Sequence, residues 1–192
     1  LVGSEMCIRD RVCKVLAALK KAGLEDDTIV IFTSDHGYHL GEHDFWAKVS
    51  LLDESSQVPL IIRVPGKKPA VCHSFVELLD LYPSLAAMCG LPAQARLQGK
   101  DICRMLDDPS HAVRDAAFCV NRRGFLIRED NWAYIQYGEN AQSGVELFDM
   151  AKDPKQYTII AEMPAYKPVV NRFKARFTAK MKAVRNNDLG RE

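Results

Sequence analysis

The sequence predicts an α/β chain that continues into a small antiparallel sheet and ends in a helix. Two short β-branched apolar runs lie between two helical patterns, an order typical of an α/β sheet. After about residue 109, four short apolar runs alternate with polar turns, which is typical of an antiparallel meander. We therefore expect one part over 10–108 and a second part over 109–192. Residues 1–9 show no clear period and are left unassigned, as candidate non-native sequence.

The first part begins with an amphipathic helix and continues with two strands. From Asp10 onward apolar residues recur at helical spacing, and Gly23 is the expected end of the helix. The runs at 28–33 and 58–64 are strand-sized. We expect both strands to be buried on both faces, as is usual in a parallel sheet covered by helices. The recurring apolar residues of the helix are Val12, Val15, Leu16, Leu19 and Ala22.

A second helix is predicted within residues 78–91. Asp80 is the expected N-cap, Pro83 lies in the first turn and Gly90 ends the helix. This helix completes the first part of the chain.

The second part is predicted to hold four strands and a long amphipathic helix over 164–187. The strands are expected at 116–120, 124–128, 132–137 and 145–149. One face of the helix is apolar, and the other carries seven Lys or Arg residues and no acid. We interpret that basic face as a solvated surface of a helix packed on the meander, with polyanion binding as the alternative. The apolar face consists of Tyr166, Val169, Val170, Phe173, Phe177, Met181 and Val184.

Composition excludes several classes of function. The net charge is +1, with 26 basic and 25 acidic residues, so the chain has no global basic footprint for nucleic acid. No apolar run approaches the roughly 18 residues needed to cross a bilayer. The six cysteines are spread too widely for a small disulfide scaffold, and because they form no C-x-x-C pair a structural zinc knuckle is also disfavoured.

Chemistry-bearing side chains concentrate in the segment 33–48, TSDHGYHLGEHDFWAK, directly after the first predicted strand. The carboxyl ends of sheet strands are where open α/β sheets place ligands. At such a strand end the neighbouring side chains of Asp35 and His36 can converge on one divalent cation. Asp35 taken alone is equally typical of a turn former.

Other polar residues of the segment have simpler interpretations. We interpret His39 and His43 as hydrogen-bonded surface groups and Lys48, taken alone, as an exposed lysine. The spacing of His36, His39 and His43 could indicate zinc on one helical face, but Gly37 and Gly41 argue against a helix there.

The same residues carry a resemblance to a known family. Residues 28–66, TIVIFTSDHGYHLGEHDFWAKVSLLDESSQVPLIIRVPG, closely resemble the second half of type I sulfatases, members of the alkaline-phosphatase-like superfamily. They look most like the iduronate-2-sulfatase and choline-sulfatase branch. The resemblance continues through VELLDLYPSLAAMCGL at 76–91, LQGKDICRML at 97–106 and ELFDMAKDPKQYTIIA at 146–161.

This resemblance implies a fold, a reaction and roles for three residues. Residues 10–108 are expected to be the C-terminal part of the catalytic α/β domain, with its doubly wound sheet, and 109–192 a C-terminal α+β subdomain. Asp35 and His36 match two calcium ligands, and Lys48 matches the catalytic lysine that binds the sulfate group. His39, Glu42 and His43 receive no role from the family.

The family's nucleophile is a formylglycine made from the cysteine of a C-x-P-x-R motif, and that motif is absent from this sequence. The segment at Cys7 has Arg9 where the motif requires proline, so it is rejected. We therefore expect a fragment of a sulfatase that is inactive alone and completed by the remainder of its chain.

The expected substrate is a sulfate ester of a sugar or small alcohol, and family habit places such enzymes in periplasmic, secreted or lysosomal compartments. Two alternatives stay open: a metal-dependent phosphate or phosphonate ester hydrolase of the same superfamily, and a non-catalytic module that retains only the sheet.

Overall fold

The computed structural model describes residues 2–185, with side chains from residue 7 onward. Short 3₁₀ turns lie at Glu25–Asp27, Glu42–Asp44, Leu78–Asp80, Cys103–Leu106 and Pro164–Tyr166. The helices and strands, in chain order, are α1 (Val2–Lys21), β1 (Val30–Thr33), α2 (Asp53–Ser56), β2 (Leu60–Arg63), α3 (Leu81–Met88), β3 (Ala117–Val120), β4 (Gly124–Glu129), β5 (Trp132–Tyr137), β6 (Val145–Asp149) and α4 (Lys167–Arg185).

The chain divides into two compact units. One contains α1, β1 and β2, and the other contains the segment between β1 and β2 together with everything after residue 69. The two parts predicted from the sequence, 10–108 and 109–192, do not correspond to these units, and the boundary between them stays a prediction.

In the first unit, α1 begins at Val2 and therefore includes most of the unassigned segment 1–9; Leu1 lies outside the described residues. The predicted start at Asp10 was wrong because periodicity reports only a buried face. A helix also propagates through residues without a buried face, provided that no proline interrupts it.

Strands β1 and β2 pair antiparallel, with Phe32 opposite Ile61 and Ile31 opposite Ile62. The expected parallel arrangement of these two runs is therefore wrong for this pair. A continuous apolar run indicates what a strand can bury and carries no information on strand direction, and antiparallel strands do occur in otherwise parallel sheets. Phe32 and Ile61 are also exposed in this structure, so burial on both faces is not observed.

The second unit is built on the four-stranded antiparallel sheet β3-β4-β5-β6, as the sequence predicts. Helix α4 packs on one face of this meander through Phe173 and Phe177, which confirms the predicted apolar helix face. The other face holds a second core cluster that includes Leu51, a residue located shortly before α2. This second cluster comprises Leu51, Leu126, Ala133, Ile135, Phe148 and Met150.

The basic face of α4 is only partly a solvated surface. Arg172 and Arg176 both form ion pairs with Glu129 of β4, at 2.8 and 2.5 Å, and Arg176 also pairs with Asp115. These arginines therefore tie the helix to the sheet. The last two residues of the predicted helix, 186 and 187, lie outside the described part of the chain.

Helix α3 begins after Asp80 and ends at Met88, and Gly90, the predicted end, lies two residues further on with a φ of +70°. Asp80 occupies the predicted N-cap position, but its side chain does not cap α3. It instead accepts hydrogen bonds from the backbone N–H groups of Glu77 and Lys100 and from Arg114. None of the described helices is long and apolar enough to span a membrane.

Candidate functional site

The segment singled out by its chemistry forms a loop between β1 and α2 that is fixed to α2 by its backbone. The N–H of Gly37 donates to the carbonyl of Ser55 at 2.9 Å. A Cβ atom at Gly37 would lie 2.0 Å from the carbonyl oxygen of Glu54, so only glycine permits this approach. The residues just before Gly37 are thereby held at a defined place beside α2.

Asp35 and His36 lie side by side at the start of this loop. Asp35 Oδ2 is 3.4 Å from His36 Nε2, and Asp35 Oδ1 accepts a hydrogen bond from the backbone N–H of His36 at 3.0 Å. The hydroxyl of Ser34 donates to the carbonyl of His36 at 2.8 Å and closes the turn. The two neighbouring side chains are therefore close to each other, and their role as metal ligands stays a prediction.

The hydrogen bonds of His36 define which of its nitrogens is free to bind a ligand. Nδ1 lies 2.8 Å from the carbonyl oxygen of Gly37, and a carbonyl oxygen can only accept. Nδ1 therefore carries the proton in this arrangement. In the neutral ring, Nε2 presents its lone pair on the side of Asp35 Oδ2.

Asp35 is held in its charged form. Desolvation raises the pKa of Asp35, but the charge of His36, backbone N–H groups and the Ser34 hydroxyl together lower it below its ordinary value. An ionised, 85% exposed carboxylate 3.4 Å from an imidazole nitrogen is suited to bind a cation when that imidazole is neutral.

Asp35 and His36 are suited to bind a divalent cation but provide only some of the ligands that it needs. Typical calcium–ligand distances of about 2.3–2.6 Å allow two atoms at this separation to contact one ion. Across residues 2–185, with the side chains described from residue 7, no three His, Cys, Asp or Glu residues form a common metal position. Asp35 and His36 would therefore supply two ligands of a larger set.

Lys48 is exposed and lies on the second half of the same loop. The N–H of His39 donates to the carbonyl of Ala47 at 2.9 Å, which brings the two halves of the loop together. Between them, Gly41 has a φ of +119° and packs against the ring of Trp46. Lys48 and the Asp35–His36 pair thus belong to one folded loop.

His39 and His43 are not the surface groups that the sequence suggested. His39 is fully buried, and its ring nitrogens contact the Glu42 carbonyl at 3.3 Å and the Ser50 hydroxyl at 2.7 Å. Both nitrogens are therefore occupied, which argues against a zinc site built from His36, His39 and His43.

His43 stacks on Tyr157 at 4.6 Å, and its Nε2 lies 3.6 Å from Glu54 Oε2. Both of these atoms are buried and make no hydrogen bond in the described structure. Sequence spacing could not reveal this contact, because Tyr157 is more than a hundred positions away along the chain.

The sequence also did not reveal the contacts that hold α2 in place. The backbone N–H of Asp53 donates to Gln156 Oε1 at 2.7 Å, and the Asp53 carboxylate pairs with Arg128 at 3.2 Å. Burial raises the pKa of Asp53, opposed by the charge of Arg128. These partners come from the meander and the loop after it, and no local sequence pattern connects them to α2.

Comparison with known proteins gives a consistent result. The family model described as Sulfatase matches residues 10–91. Arylsulfatase K of Bos taurus is 33% identical over a 162-residue alignment, which covers 77% of this chain and 30% of the relative.

Two solved structures are also similar. A 2-O GAG sulfatase superposes with a TM-score of 0.82 at 26% identity, over 93% of this chain and 41% of its own. The phosphonate monoester hydrolase of Agrobacterium radiobacter superposes with a TM-score of 0.80 at 27% identity, over 91% of this chain and 39% of its own. The chain thus spans about a third of the length of the curated relatives and about two fifths of the solved structures.

Proposed function

Because the chain belongs to the type I sulfatase family of the alkaline-phosphatase-like superfamily, we propose that it is part of an enzyme that hydrolyses sulfate esters. In this proposal Asp35 and His36 bind a calcium ion and Lys48 binds the sulfate group. The substrate is a sulfated sugar or small alcohol. The 2-O GAG sulfatase among the similar structures supports a saccharide.

The observation that carries the proposal is the paired arrangement of Asp35 and His36. Asp35 Oδ2 and His36 Nε2 lie 3.4 Å apart, a separation that supports two ligands of one cation. They lie in the segment that matches the sulfatase model, and the loop also carries Lys48. Asp35 and His36 provide a carboxylate and an imidazole as ligands for a cation, and Lys48 provides an ammonium group for an anion.

Hydrolysis of a sulfate ester requires positive charge beside the sulfate group. A sulfate ester is an anion at neutral pH, so positive charge must be placed against it before a nucleophile can approach. The bound cation would supply part of that charge as a Lewis acid. Lys48 supplies an ammonium group that can contact a sulfate oxygen, while Asp35 and His36 would hold the ion.

The nucleophile is assigned outside these 192 residues. A formylglycine of the family's kind requires a C-x-P-x-R motif, which this sequence does not contain. We therefore expect the 192-residue chain to show no turnover of a fluorogenic aryl sulfate. Robust release of the fluorophore by this chain alone would contradict the proposal.

The decisive experiment uses the longest open reading frame that contains this sequence. With an aryl sulfate and a sulfated disaccharide as substrates, we expect Asp35→Asn and Lys48→Ala to lower kcat/KM by about a hundredfold or more, as expected for loss of an electrostatic contact in the transition state. His73→Gln, an exposed histidine outside the loop, is the matched control and should retain activity. Full activity of Lys48→Ala would exclude the proposed role of Lys48.

The second candidate function is phosphate or phosphonate ester hydrolysis. It is favoured by the similarity to a phosphonate monoester hydrolase and by His36, because imidazole also suits manganese and zinc. Metal analysis of the purified longer protein distinguishes the two. Calcium together with faster sulfate than phosphonate hydrolysis supports the sulfatase, and transition metals with the reverse ratio support the alternative. Absence of both activities would indicate a non-catalytic module.

A further inference from the structure

We propose that His39 is a positioning residue that fixes the backbone on both sides of Lys48 and thereby places its ammonium group for binding a sulfate oxygen. The proposal rests on the proposed function of Lys48. It assigns a role to a residue that does not itself touch the substrate and that sequence reasoning placed at the surface.

His39 makes three contacts within its own loop, and two of them lie on either side of Lys48. Its backbone N–H donates to the carbonyl of Ala47, the residue before Lys48, at 2.9 Å. Its Nε2 lies 2.7 Å from the hydroxyl of Ser50, two residues after Lys48. Its Nδ1 lies 3.3 Å from the carbonyl of Glu42, in the turn between the two halves of the loop.

The direction of these hydrogen bonds follows from the partners. The Glu42 carbonyl can only accept, so Nδ1 of His39 must be the protonated nitrogen. In the neutral ring, Nε2 then accepts the proton of the Ser50 hydroxyl, whose oxygen in turn accepts the N–H of Leu52 at 3.2 Å. A neutral imidazole therefore satisfies the whole chain of contacts without a buried charge.

Aromatic contacts fix the orientation of the His39 ring. The Phe45 ring approaches it at 5.2 Å and the His43 ring at 5.8 Å, both nearly perpendicular to it. With the residue fully buried, the ring has no alternative position from which to make the same bonds.

The backbone next to Lys48 needs such support. Val49 has a φ of +75°, a conformation that is strained for a β-branched residue and persists only where its surroundings enforce it. On the far side of Val49, Ser50 is anchored by His39, and Leu51 is buried in the second core cluster. Without His39, Val49 can relax and the base of the Lys48 side chain can move.

The test measures inhibition by inorganic sulfate in the longer protein that contains this sequence. An inhibition constant does not depend on the fraction of active enzyme, so a variant that is merely less folded would not change it. We expect His39→Leu, which keeps the volume and removes both ring contacts, to raise the inhibition constant about tenfold to a hundredfold, since displacements near 1 Å can have effects of that size.

The matched variants make the expectation specific. His39→Gln, which can still accept the Ser50 proton, should restore part of the affinity, and Ser50→Ala should show part of the loss even if His39→Leu fails to fold. In a Lys48→Ala background, His39→Leu should cause no further change, because its effect acts through Lys48. His73→Gln should have no effect.

The outcomes separate this proposal from the proposed function. If Lys48→Ala raises the inhibition constant and neither His39→Leu nor Ser50→Ala does, the positioning role is excluded and the sulfate site stands. If His39→Leu acts equally in the presence and absence of Lys48, the positioning role is also excluded. If Lys48→Ala itself has no effect, both proposals fail.

Discussion

At the scale of single residues, Asp80 is a buried carboxylate held by several hydrogen bonds. Its side chain is fully buried and accepts two backbone N–H bonds at 2.8 Å and a bidentate contact from Arg114. Glu77 lies beside it and accepts the N–H of Phe118 at 2.9 Å. This network joins the start of α3 to β3.

We expect Asp80→Ala to lower the free energy of unfolding by about 3–5 kcal/mol, because it leaves Arg114 buried without its main partner. Urea denaturation of the 192-residue chain measures the change. Asp130→Asn, at an exposed carboxylate, is the matched control and should stay within about 0.5 kcal/mol of the parent. A loss below about 1 kcal/mol for Asp80→Ala would show that the network contributes little.

A second residue-scale prediction concerns alkaline pH. Burial raises the pKa of Tyr134 from 10 to about 12, and its hydroxyl donates to Gln136 Oε1 at 2.8 Å. Between pH 10 and about pH 12, the Tyr134 hydroxyl has lost its proton in the unfolded chain and keeps it in the folded chain. The free energy of unfolding should therefore fall as pH rises from about 10 to about 12.

Tyr134→Phe removes that contribution, so its stability should decline less steeply over the same range, although it starts lower at neutral pH because the hydrogen bond is lost. Part of the decline should remain, since the pKa of Tyr137 is also raised to about 12 by burial and by Glu146. Tyr82→Phe, at an exposed tyrosine, serves as the control. Identical slopes for Tyr134→Phe and the parent would contradict the expectation.

At the scale of elements, α4 and the meander form the most regular part of the structure. Phe173 is fully buried and stacks parallel to the ring of Tyr134 at 5.1 Å, while Arg172 and Arg176 pair with Glu129 at the edge of this contact. Apolar packing thus stabilises the contact and the ion pairs fix the direction of the helix.

Phe173→Ala should lower the free energy of unfolding by about 3–5 kcal/mol, through lost burial and the cavity that remains. Lys174→Ala, one position along and exposed, should change it little because alanine favours the helix. Chemical denaturation of both variants tests the contrast. Equal stabilities would mean that the helix does not depend on this face.

These elements were predictable because their patterns are local. The meander strands and the face of α4 follow from periods of two and of 3.6 residues. The closeness of Asp35 and His36 follows from their being neighbours in sequence, while their role as metal ligands stays a prediction. The direction of β2 relative to β1, the burial of His39 and the contact of His43 with Tyr157 were not predictable. The first and the last depend on partners distant in sequence, and the burial of His39 depends on how the loop folds back on itself; no sequence period reports any of the three.

At the scale of the whole molecule, the two-stranded sheet exposes apolar side chains. Phe32 and Ile61 are cross-strand neighbours and are 41% and 62% exposed. An exposed apolar strand pair offers both its face and its unpaired edges to other chains. Such a surface favours self-association.

We therefore expect the 192-residue chain to be poorly soluble and to form concentration-dependent oligomers in light scattering. Ile61→Lys should remove most of the high-mass fraction, whereas Val71→Lys, which adds the same charge at another exposed apolar position, should not. A parent chain that stays monodisperse and monomeric at every concentration tested would contradict this expectation.

Leu51 connects the candidate site to the C-terminal half of the second unit. Three positions after Lys48, it is packed among Phe148, Met150 and other side chains of the meander, and nearby Gln156 holds the first backbone amide of α2. The meander therefore supports the loop that carries Lys48. If Lys48 binds sulfate as proposed, substitutions among the inner residues of the meander should change how tightly the anion is held without changing any residue that touches it.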